Sequence, residues 1–73
     1  MKPHYTMMIA WSDKDSAYLV RLPEWEADGR IGGPVTDGAT YAEAAANGQD
    51  ALDELIEVAR QHGEELPPVT AAA

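Results

Sequence analysis

The sequence predicts a small α+β domain, an antiparallel sheet with one long helix on one face, in the order β-β-β-α-β. Three observations lead there. Residues 40–63 carry a capped, amphipathic helical pattern, and residues 5–22 hold two short alternating segments joined by a charged turn. A glycine-rich stretch separates these two regions. A helix with one apolar stripe and a sheet with one apolar face bury those sides most simply against each other.

The first strand is Tyr5 to Ser12, with Tyr5, Met7, Ile9 and Trp11 on one face and Thr6, Met8, Ala10 and Ser12 on the other. Asp13, Lys14 and Asp15 interrupt it as turn formers. Ala17 to Leu22 forms the second strand, with Tyr18, Val20 and Leu22 sharing a face, and Pro23 ends it. So short a connection makes an antiparallel hairpin. Glu24 to Pro34 reads as an irregular loop anchored by Trp25 and Ile31. Val35 and Thr36 begin a short third strand, and Asp37-Gly38 turns the chain toward the helix.

Thr40 and Glu43 make a capping box at the helix start. Tyr41, Ala45, Gly48, Leu52, Leu55, Ala59 and His62 alternate by four and three along one stripe, with Ala44, Ala51, Ile56 and Val58 at its flanks. Gly63 suits the left-handed position after the last turn, and Pro67-Pro68 prevent continuation. Val69-Thr70 is expected to add a brief edge strand. Whichever sheet face the helix takes, the other is left open for a second copy, so a homo-oligomer (dimer or tetramer) is expected.

The chain has 73 residues, which reads as a single domain over 1–73. A domain this short buries only roughly 60% of its unfolded surface. It has no cysteine, so no disulfide or thiolate metal site supports the fold. No apolar run approaches the ~20 residues of a membrane span, and no signal-peptide pattern opens the chain, so a soluble cytoplasmic protein is expected. The net charge of −8 argues against direct contact with nucleic acid and suits a basic protein partner.

No catalytic constellation emerges. Asp13 and Asp15 flank a lysine in the hairpin turn, and no further carboxylate is placed to complete an oxygen shell around a metal. A metal-dependent nuclease using them with a helix carboxylate is the enzymatic alternative. His4 and His62 share no ligand spacing, and Ser12 and Ser16 have no neighbouring base. Gly29, Gly32 and Gly33 match no phosphate-binding pattern. No cofactor or metal is therefore expected. Glu43, Asp50 and Glu57 recur every seven residues with Glu54 beside them, an acidic ridge open to solvent or to a basic protein. The residues expected to meet a partner are Tyr18 on the second strand, whose edge is expected to be free, Trp25 in the loop, and Asp50, Glu54 and Glu57 on the helix.

Tyr5 opening the first strand, Asp15-Ser16-Ala17-Tyr18 leading into the second, and Pro23-Glu24 at its end resemble the HicB-like antitoxin family. Thr36-Asp37-Gly38-Ala39-Thr40 running to Glu43-Ala44, and Gly63 followed by Pro67-Pro68, extend the resemblance over residues 5–69. It implies a degenerate ribonuclease H-like fold without the carboxylates of active nucleases. It also implies binding to HicA, a small basic RNA-cleaving toxin whose active site is blocked. Many members add a C-terminal DNA-binding segment. This chain stops at Ala73 and resembles the short, stand-alone members. A homo-oligomeric accessory protein with no toxin is the alternative.

Overall fold

The computed structural model describes residues 4–69. Its elements are β1 (Met8–Ser12), β2 (Ala17–Arg21), α1 (Pro23–Ala27), β3 (Thr36–Gly38) and α2 (Tyr41–Gln61). The three strands form one antiparallel sheet in the order β1-β2-β3. With α2 packed across all three strands, the molecule is a small α+β fold.

The hairpin register places Ile9 opposite Val20 and Trp11 opposite Tyr18. Tyr18 lies opposite Gly38, and Val20 opposite Thr36, on the β3 side. Facing residues project to the same side of a sheet. Val20 is fully buried, and the space beside Gly48 of α2 is bounded by its Cγ1 and by Met7 Sδ. The helix therefore lies on the Met7, Ile9 and Trp11 side. Met8, Ala10, Leu19 and Arg21 occupy the other face.

Both ends of α2 follow from local chemistry. Thr40 Oγ1 accepts the Glu43 amide at 3.0 Å, while Glu43 Oε1 accepts the Ala39 amide at 3.2 Å. The box thus closes one residue earlier than its usual form, on the residue before the cap. At the other end Gly63 takes φ 66°. Its amide donates to the Arg60 carbonyl and that of Glu64 to the Ala59 carbonyl, the paired bonds of a Schellman turn. Between these caps Ala44, Gly48, Leu52, Ile56 and Ala59 are buried, whereas Tyr41, Val58 and His62 are exposed. The predicted stripe is correct in direction, but its first and last members stay exposed at the two ends of the helix.

Four expectations change. First, the Glu24–Pro34 loop opens with a helical turn, α1. Pro23 at the first helical position has its φ already set and needs no amide partner. The Trp25 and Glu26 amides then reach back to the Leu22 carbonyl at 3.1 Å. Second, β2 has no free edge, because β1 and β3 pair along its two sides. Third, β1 begins at Met8, since Tyr5 to Met7 have no ladder partner, while β3 extends through Gly38. Fourth, residues 64–69 form no strand, and Thr70 lies outside the described residues. Pro67 and Pro68 cannot donate to a ladder. The segment is fixed instead by Leu66 against the core, by Tyr5 Oη donating to the Pro67 carbonyl at 2.6 Å, and by Arg30 on the Glu65 carbonyl. The observed order is β-β-α-β-α.

The core joins Leu22, Trp25, Leu52 and Ile56, with Tyr5, Met7, Ile31, Val35, Leu55 and Leu66 packed around it. Trp25 is its centrepiece, 1% exposed. The Tyr5 ring meets it edge-on at 5.5 Å, and the Arg30 guanidinium stacks at 5.4 Å from its centroid. Glu24, also buried, accepts the Thr6 amide at 3.1 Å and the Thr6 hydroxyl at 2.9 Å.

Burial, reinforced by the charges of Glu24 and Asp28 and opposed by Arg30, raises the Tyr5 phenol above its ordinary pKa. A folded pKa above the unfolded one adds stability that is complete below about pH 10 and is lost as pH rises through the folded value. Tyr5→Phe is expected to cost about 1 kcal/mol at neutral pH, the worth of one hydrogen bond. Its deficit against the parent should narrow above pH 10, as read by urea unfolding at a series of pH values. A deficit constant into strong alkali would show that the phenol carries no such linkage.

Candidate partner-binding surface

The acidic ridge is built by helix geometry. Asp50, Glu54 and Glu57 stand at i, i+4 and i+7, on the side of α2 opposite Leu52 and Ala59. All three are exposed. Gln61 reaches Glu57 at 3.4 Å, but among the described residues no cation pairs with any of the three. Arg21 is occupied by Glu26 and Arg30 by Asp28, each at 2.6 Å. The Arg21 hydrogen bond also holds the Glu26 carboxyl below its ordinary pKa, against a smaller opposing effect of burial. The ridge therefore presents uncompensated negative charge.

Tyr18 is half-buried at the hairpin end of the sheet. It is sandwiched between the Trp11 ring at 5.0 Å and the Tyr41 ring at 4.2 Å. Trp11 and Tyr41 are themselves 50% and 61% exposed. Tyr18 is thus the inner member of an aromatic row whose outer members face solvent. Trp25 does not belong to any surface. The α1 turn points it inward, so its expected role as a partner contact gives way to a place in the core.

A groove of about 570 Å³ runs between α2 and residues 31–35. Ile31 and Val35 form one wall, and Ala51, Leu55 and Val58 the other, with Glu54 at the rim. Gly32 and Gly33 leave its mouth open. Of the expected contact residues, only Glu54 borders this groove. Sequence reasoning placed Val58 on the flank of the buried stripe and Ile31 as an anchor, without joining them. The available signal was Ala51, Leu55 and Val58 as a second, narrower apolar row beside the acidic one.

The carboxylates of the hairpin turn serve the local fold. Asp13 accepts the Trp11 indole N–H at 2.7 Å, and Asp15 accepts the Ser12 hydroxyl at 2.9 Å. His62 is the C-terminal cap residue of α2. Among the described residues no three of His, Cys, Asp and Glu converge as metal ligands, and no helix is long and apolar enough to cross a membrane. Compared with known protein families, with curated proteins and with solved structures, the chain finds no match.

Proposed function

We propose that this chain is a non-catalytic, antitoxin-type interaction module that binds and occludes a small basic protein, a HicA-like RNA-cleaving toxin. The observation that carries the reading is the exposed, cation-free ridge of Asp50, Glu54 and Glu57, on a chain of net charge −8. Such a surface attracts a basic partner over distances comparable to the Debye length and orients it before contact. Neutralisation is then steric, the body of the domain covering the toxin's active site. The motif order within residues 5–69 supports the same reading and, with it, a degenerate ribonuclease H-like arrangement of the sheet and helix. The setting is the cytoplasm, where such a toxin meets its RNA.

The reading includes self-association. Met8 is 54% exposed on the uncovered sheet face, beside Ala10 and Leu19, and a second copy laid there would remove this apolar surface from water. Sedimentation equilibrium of the purified chain tests that part directly, a monomer at high concentration being the adverse result.

For the interaction itself, the chain is co-expressed with any small basic protein encoded beside its gene. Co-purification and inhibition of RNA cleavage are expected. The D50K/E54K/E57K variant should slow association by tenfold or more at low salt, with the difference shrinking as salt rises. RNA cleavage that continues unaffected by an equimolar amount of the parent chain would end the antitoxin reading.

A further inference from the structure

We infer that the groove between α2 and residues 31–35 is a docking site for a cationic amphipathic helix, whose apolar side chains enter it while its Lys or Arg residues meet the ridge. The inference rests on the reading of this chain as an interaction module and names the part of a partner that it grips. Two features of the groove define the occupant. Its walls are aliphatic, with Val58 left 46% exposed although it lies one turn from Leu55, which packs against the core. Its helical wall carries Glu54 at the rim, with Asp50 and Glu57 a turn away on either side, and no basic residue lines it. An apolar trough bordered along one side by carboxylates complements a helix with an apolar face flanked by cations. Apolar anchors at i, i+3 or i+4 and i+7 suit a trough that follows the axis of α2. A neutral apolar ligand would leave the carboxylates unmatched, and an acidic one would be repelled.

The test uses a short synthetic helix with leucine on one face and lysine on the other, and its leucine–glutamate counterpart. Amide shifts of the full chain are followed by NMR during titration. Binding of the lysine peptide is expected to perturb residues 31–35 and 51–58, and the glutamate peptide should not bind. Val58→Asp and, separately, Glu54→Lys should each weaken the lysine peptide by about tenfold. Both sites are exposed, and unchanged circular dichroism would confirm the fold of each variant. Shifts confined to the Met8 and Leu19 face, or equal affinity for the Val58→Asp chain, would overturn the inference. So would a loss of self-association in that variant, because the groove would then belong to a second copy. The two readings fail separately. Peptide docking without toxin inhibition keeps the groove and removes the antitoxin, and toxin inhibition without docking does the reverse.

Discussion

Trp25→Ala is expected to unfold most of the population at room temperature. Deleting a fully buried indole costs about 3–5 kcal/mol in lost burial and residual cavity. Domains hold only roughly 0.05–0.15 kcal/mol per residue, so a chain this short has little in reserve. The loss is not local, since Trp25 joins Leu22 at the start of α1 to Leu52 and Ile56 of α2. Removing it also takes away the surface on which Tyr5 and Arg30 rest.

Trp25→Phe should behave quite differently. The indole Nε1 is buried and finds no acceptor among the described residues. An unmade hydrogen bond of this kind costs about 1–3 kcal/mol. Phenylalanine loses some volume but also removes the unsatisfied donor, so its stability is expected within about 1 kcal/mol of the parent. Urea unfolding followed by far-UV circular dichroism reads both variants. A folded, cooperative Trp25→Ala chain would refute the placement of this residue at the centre of the core.

Gly38→Ala comes next in severity. An added Cβ would lie 2.7 Å from Ala44 Cα and 2.9 Å from the Glu43 carbonyl carbon, and closer still to the Ala44 nitrogen. All three are backbone atoms in the first turn of α2, which the Thr40 cap holds in place. The only relief is to lift the helix away from β3. Overpacking typically costs 1–3 kcal/mol, and the absence of any yielding side chain puts this case at about 3 kcal/mol.

Gly48→Ala provides the contrast. Its Cβ would meet Met7 Sδ and Val20 Cγ1, each at 2.8 Å. Met7 can swing aside, the buried and β-branched Val20 must be met by a small shift of the helix, and alanine returns up to about 1 kcal/mol of helix propensity. The Gly48 variant should therefore be the milder of the two by about 1 kcal/mol. The reverse ranking in urea midpoints would mean that strand and helix approach less closely at Gly38 than at Gly48.

Periodicity made α2 legible, because Leu52, Ile56 and Ala59 repeat at helical spacing and both caps use residue types with few other uses. The hairpin was legible for a similar reason, with apolar residues alternating on either side of Asp13 to Asp15. The α1 turn was hidden by the glycines that follow it. Pro23 before Glu24 and Gly29 after Asp28 are start and stop signals, but five helical residues are too few to show a stripe. The inward position of Trp25 depends on that turn and so was missed with it. β3 has only three residues, too short for alternation, and its pairing partner could not be read locally. The ridge was visible as a heptad of carboxylates. The groove beside it was not, since its second wall comes from residues some 20 positions away in sequence.

The bond from Tyr5 to the Pro67 carbonyl spans 62 positions, whereas most contacts of α2 with itself are four apart. Closing a long loop carries an entropic penalty that must be met before the contact contributes anything. On these grounds the helix and the hairpin are expected to form early and this clasp late. Tyr5→Phe is then expected to raise the unfolding rate and leave the folding rate unchanged in stopped-flow urea kinetics. Its effect on lifetime then falls on the escape rate from the native state rather than on the rate of reaching it. A single phenolic hydroxyl is thus expected to act as a latch on kinetic persistence, and a slower folding rate in Tyr5→Phe would refute it.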